Sequence, residues 1–141
     1  LTGYFTENII VTPHMKEMSR LTGIQIEEMK ENPVRTAREF ADQYGVVCVL
    51  KDAATVIAGR DGKTFVNGSG TPAMAKGGSG DVLTGVIAGL VALGLEESDA
   101  AALGVYVHGL AGEAAEKHFG VHGVLAGEIA DCLSEVYRDG I

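Results

Sequence analysis

Residues 68–95 read GSGTPAMAKGGSGDVLTGVIAGLVALGL. A loop runs into Gly77-Gly78-Ser79-Gly80, Asp81 follows, and an apolar helix begins. Three glycines in four residues let the backbone turn without Cβ clashes. Several N–H groups then point into one concavity, which is an anion nest. A helix starting near Ser79 adds its own unpaired N–H groups and the positive end of its dipole. Phosphate is the natural guest of such a site. Asp81 is the odd member, because a carboxylate beside a phosphate repels it. Its placement makes sense if Asp81 takes a proton from a hydroxyl about to attack that phosphate. The plainer alternative makes Ser79 an N-cap and Asp81 a first-turn acid, both common stabilising choices. The glycines are then only a turn.

Downstream of this stretch, Ser98 caps a long helix over 99–118. A last helix over 125–137 places Ile129, Leu133 and Val136 at core spacing. Within the apolar helix, Gly85 and Gly89 fall four apart, each costing about 1 kcal/mol against alanine. Close packing on a sheet is their expected use. Upstream, residues 8–12 (NIIVT) read as a buried parallel strand ended by Pro13-His14. Short helices follow over 16–21 and 25–30. Asn32 and Pro33 start a helix that Gly45 ends. Residues 46–50 (VVCVL) form a wholly apolar strand. Two further strands, 55–58 and 63–66, flank Arg60-Asp61-Gly62, a strong hairpin signal. Strands alternating with helices predict one α/β domain over 1–141, a mainly parallel sheet flanked by helices. Three or four strands make a small sheet for that class. The first residues, LTGYFTEN, do not look like a native start, so the chain reads as a fragment.

The net charge of −8, with no Lys/Arg run, argues against nucleic acid or an anionic membrane surface as partner. The longest apolar run, 82–95, falls short of the about 20 residues that span a bilayer. Cys48 lies in an apolar run and Cys132 in a helix. Two buried thiols suit a reducing, cytoplasmic setting.

Lys51 follows the VVCVL strand at its carboxyl end, where open α/β sheets bind ligands. With Asp52, Ala53, Ala54 and Thr55 it makes a tight connection that could hold nucleotide phosphate, or simply an exposed turn. His14 also follows a strand end. It either lines the same crevice or caps a helix start. Asn67 could orient Asp81, a phosphate or a metal-bound water, but reads first as a routine turn residue. His118 and His122 straddle Phe119-Gly120 with no cysteine or carboxylate cluster at the usual spacing, so no zinc site and no protein metal ligand is expected. His108 reads as a packed core histidine. There is no P-loop, no G-x-S-x-G and no Rossmann glycine spacing, which disfavours a serine hydrolase and a dinucleotide fold of that type.

Four blocks occur in a characteristic order: Val11–His14 (VTPH) with Glu17-Met18, KDAATVI from Lys51, AKGGSGDVLTG from Ala75, and GVYVHGLAG from Gly104. Together they resemble the ADP- or ATP-dependent NAD(P)H-hydrate dehydratase family, from about residue 9 to 133. The resemblance implies a ribokinase-like α/β fold, of which this chain is the C-terminal half. It implies a repair reaction: a nucleoside di- or triphosphate is spent to expel the water from hydrated NADH or NADPH. The hydrate hydroxyl is phosphorylated, and phosphate is then lost. By the same resemblance Asp81 is the base. Gly78, Ser79 and Gly80 bind the transferred phosphate, beside Gly77 of the nest read above. Lys51, Asp52, Ala53, Ala54, Thr55 and Gly80 contact the nucleotide, and His14 and Asp81 contact the hydrated dinucleotide. Mg²⁺ rides on phosphate oxygens and water. A homo-oligomer, in this family often a tetramer, is implied. A separate chain could supply the other half, which normally adds strands and part of the dinucleotide pocket.

The sequence departs from the family pattern at Met15-Lys16, where Pro-Gly is usual, and at Thr71-Pro72-Ala73, where Asn-Pro-Gly is common. The alternatives are a small-molecule kinase of the same fold, acting on a vitamin precursor alcohol, and a non-catalytic nucleotide-binding fragment.

Overall fold

Strand β2 (Val47–Leu50, VCVL) is buried at every position in the computed structural model, which describes residues 8–140 apart from the Asp139 side chain. A strand buried on both faces needs no alternation of apolar and polar residues. It pairs in parallel with β1 (Ile10–Val11), Ile10 opposite Val47 and Val11 opposite Cys48. On its other side lies β3 (Val56–Ala58), antiparallel, with Val49 opposite Ile57. β4 (Thr64–Val66) is antiparallel to β3, giving the order β1-β2-β3-β4.

The α/β class is as expected, but the described sheet is mixed rather than mainly parallel. The reason is connection length. Parallel neighbours need a crossover, and only β1 and β2 have one, made by α1 (Met15–Thr22), α2 (Ile26–Glu31) and α3 (Pro33–Tyr44). The short links between β2 and β3, and between β3 and β4, permit only antiparallel return.

Local chemistry sets the helix ends. Asn32 Oδ1 accepts the Arg35 N–H at 2.9 Å, Pro33 opens α3, and Gly45 closes it at φ 64°. Gly23 does the same for α1 at φ 77°. α3 packs on β2 and β3. Its Ala37, Phe40 and Ala41 join Met18, Met29 and Cys48 in one core. Burial there pushes the Cys48 thiol up to about 12, against a smaller opposing pull from the Arg38 charge.

The described residues fall into two compact units, 8–67 with 95–102 and 68–94 with 103–140. The second contains α4 (Ser79–Ala92), most of α5 (Glu97–Phe119) and α6 (Ala126–Asp139). Its core gathers Ala73, Ala111, Ala115, Val124, Ile129 and Cys132, and α4 packs on α6. Leu83, Ile87 and Leu90 form the buried face of α4.

Gly85 and Gly89 lie on the opposite face, where an added Cβ would meet nothing within 4 Å. Within the same unit Gly104 of α5 is the closely packed glycine, where a Cβ would stand 2.7 Å from Ile87 Cγ1. Among the described residues, no helix is long and apolar enough to cross a membrane.

Candidate functional site

In the second unit, Gly78 is the N-cap of α4 at φ +90°, and no side chain caps the helix. Ser79, expected as a possible N-cap, is instead the first helical residue and is buried. Its N–H reaches back to the Lys76 carbonyl at 3.3 Å. The Asp81 and Val82 N–H groups both donate to the Gly78 carbonyl, at 3.0 and 3.1 Å. Among the described residues, the N–H groups of Gly77, Gly78 and Gly80 have no protein acceptor. Three open donors at the positive end of a helix are what an anion nest requires.

Glycine is demanded at 78 twice over. The backbone is left-handed there, and a Cβ would stand 3.0 Å from the Ala126 Cβ at the start of α6. At Gly77 a Cβ would meet nothing within 4 Å. Asp81 sits exposed in the first turn of α4. No described residue bonds or ion-pairs with its carboxylate.

The loop leading to the nest is fastened to α5. The Ser69 hydroxyl donates to the Tyr106 carbonyl at 2.9 Å, and the Gly70 N–H donates to Glu113 Oε1 at 2.8 Å. Two α5 glycines let the loop lie this close. A Cβ on Gly109 would stand 2.0 Å from Ser69 Oγ, and one on Gly112 would stand 2.2 Å from Met74 Sδ. Thr71 caps a 3₁₀ turn, Pro72–Met74, that buries Ala73. Gly109, Gly112 and Glu113 carried no role in the sequence reading. The signal for the two glycines was the small-residue spacing inside GVYVHGLAG, whose partner is a distant loop; Glu113, just after that string, had none. His108, in the same string, is buried as expected.

In the first unit, His14 and Lys51 come together. They form a parallel bridge beyond the ends of β1 and β2, with the Lys51 N–H donating to the Pro13 carbonyl at 2.9 Å. His14 also caps α1. Its Nδ1 accepts the Glu17 N–H at 3.1 Å, while Glu17 Oε2 accepts the His14 N–H at 2.8 Å. This reciprocal pair is a capping box. The ring is half exposed, with Nε2 3.4 Å from Glu17 Oε1. Asp52, Ala53 and Ala54 are exposed and Thr55 half-buried in the link to β3. Asn67 donates its N–H to the Thr55 carbonyl at 2.8 Å, tying the end of β4 to that link.

Residues 2–135 match the family model described as NAD(P)H-hydrate dehydratase. The chain is 44% identical over 131 residues to a bifunctional NAD(P)H-hydrate repair enzyme of Moorella thermoacetica, covering 93% of this chain and 25% of that protein. It is similar to the crystal structure of an ADP/ATP-dependent NAD(P)H-hydrate dehydratase from Bacillus subtilis, co-crystallised with ATP and Mg²⁺. That match has a TM-score of 0.88 and 38% identity, and covers 92% of this chain and 47% of that one. A ribokinase-like superfamily protein from Enterococcus faecalis matches with a TM-score of 0.81 and 32% identity, over 96% of this chain and 46% of that one. The chain thus spans about half the length of these solved relatives and about a quarter of the bifunctional one. With a ribokinase-like fold and a family match over residues 2–135, the chain belongs to the NAD(P)H-hydrate dehydratase family.

Proposed function

We propose that the protein uses ADP or ATP to return hydrated NADH or NADPH to the reduced dinucleotide. The observation that carries this is the start of α4: among the described residues, three open N–H groups stand beside a carboxylate that no neighbour engages. A nest alone binds phosphate. A nest with an open carboxylate in the same first turn of the helix can also activate a hydroxyl.

Asp81 accepts the proton of the hydrate hydroxyl, whose oxygen then bonds to the terminal phosphorus of the nucleotide. The bridging P–O bond breaks, releasing AMP from ADP or ADP from ATP. Gly77, Gly78 and Gly80 donate to the phosphoryl oxygens as their charge grows. The ring C–O bond then breaks, phosphate leaves with the electron pair, and loss of a ring proton restores the double bond. Lys51, with the link through Thr55, holds the nucleotide, and His14 contacts the dinucleotide.

Mg²⁺ takes oxygen ligands and keeps several waters. The nest offers only N–H donors, so the ion would sit on nucleotide phosphate oxygens, with Asp81 the nearby carboxylate on α4. Bound there, it would neutralise phosphate charge.

The test supplies hydrated NADH or NADPH, Mg²⁺ and ADP or ATP to the full-length protein and follows the reduced nicotinamide absorbance. Nucleotide-dependent recovery with release of inorganic phosphate is the expected result. A stable phosphorylated product with no recovery would overturn the dehydratase in favour of a small-molecule kinase.

A further inference from the structure

Away from the nest, the structure brings together three side chains that the sequence keeps apart. His118 lies in the last turn of α5. Cys132 and Glu135 lie three residues apart on α6, hence on one face. His118 Nε2 is 2.9 Å from Glu135 Oε1 and 3.1 Å from Oε2. The imidazole nitrogen, the thiol sulfur and a carboxylate oxygen all lie within 4.8 Å of one another. The histidine and glutamate side chains are 51% and 34% exposed, so a cation has an approach from solvent, while Cys132 is buried at 4%.

We propose that His118, Cys132 and Glu135 bind a thiophilic divalent cation of the zinc class, tying the end of α5 to α6 and leaving a fourth position open to water. The donor set decides the class of ion. Mg²⁺ and Ca²⁺ take oxygen ligands and do not select thiolate, whereas one sulfur, one imidazole and one carboxylate suit Zn²⁺ or Co²⁺. Tetrahedral bond lengths place such ligand atoms about 3.3–3.6 Å apart. The ligand atoms therefore draw closer together from within 4.8 Å as the cation binds. Burial, then Glu135, Asp131 and Glu128, hold the Cys132 thiol protonated. The same three carboxylates favour a dication. Binding releases the thiol proton to water as the sulfur–metal bond forms. His118 gives up its hydrogen bond to Glu135; its Nε2 proton passes to water, Nδ1 holds the one remaining ring proton, and the freed Nε2 lone pair binds the cation.

The probe is Co²⁺, added to the chelator-treated, reduced full-length protein and read by absorption. One equivalent should produce a thiolate-to-cobalt charge-transfer band with the intense visible bands of tetrahedral Co²⁺, and Zn²⁺ should displace it. Cys132→Ser should abolish the charge-transfer band, and His118→Gln and Glu135→Gln should each weaken binding at least tenfold. Cys48→Ala should leave the spectrum unchanged. The two exposed-side-chain variants stand in should Cys132→Ser fail to fold, as judged by circular dichroism. Absence of the band in the wild-type protein would overturn the proposal. So would a band that survives Cys132→Ser, or affinity indifferent to both His118→Gln and Glu135→Gln.

Discussion

The Gly70 N–H donates to a Glu113 carboxylate oxygen at 2.8 Å, joining loop and helix across 43 residues of chain. Hydrogen bonds to charged groups contribute about 1.5–3 kcal/mol. Glu113→Ala should therefore loosen the approach to the nest without unfolding α5. The expected result is faster amide exchange at Gly70 and about tenfold lower turnover in the full-length protein, with Glu113→Gln restoring most of both. Unchanged exchange at Gly70 would show that the clamp is idle.

The two α5 glycines should differ in how much they tolerate a methyl group. At Gly112 the obstacle is the end of a flexible methionine, Met74 Sδ at 2.2 Å. At Gly109 it includes Ser69 backbone, its carbonyl carbon at 2.8 Å. Gly109→Ala should cost about 1–3 kcal/mol, typical of overpacking, and Gly112→Ala clearly less. Thermal or denaturant melts rank the pair, and the reverse order would contradict this packing.

The nest offers a similar contrast. Gly78→Ala meets Ala126 and must hold a left-handed backbone, which costs about 1–2 kcal/mol. It should lose both stability and nucleotide binding. Gly77→Ala adds a methyl into open space, so its melting point should stay near wild type. A drop in calorimetric nucleotide affinity for Gly77→Ala, without loss of stability, would mark that space as the ligand's.

Asp81→Asn keeps size and polarity but removes the base. Turnover should fall about 10²–10⁴-fold, the usual contribution of a positioned base, with nucleotide affinity nearly unchanged. Lys51→Ala should instead weaken nucleotide binding about tenfold, as loss of a charge-assisted hydrogen bond would. Steady-state kinetics beside calorimetry separates the two, and equal turnover in Asp81→Asn would exclude the carboxylate as base.

Much of the site was legible from the chain alone because its signals are local. Gly78 needs a left-handed backbone, Ser79 opens a helix, and Asp81 falls in its first turn, whatever else the protein does. The helix boundaries at Asn32-Pro33 and Gly45, and the buried run VCVL, are equally local. His14 shows where that stops: cap and crevice residue were both open on spacing, and only the structure shows it capping α1 while bridging to Lys51.

What the sequence by itself determined is therefore the set of elements, the nest and its carboxylate, since each depends on residues within a few positions of one another. Tertiary structure alone decided the mixed sheet, the close approach of Gly104 to Ile87, the clamp of Gly109, Gly112 and Glu113 on the loop, and the meeting of His118 with Cys132 and Glu135. Each of these depends on which distant segment arrives beside a given face. Periodicity within one element marks the face but carries no information about its partner.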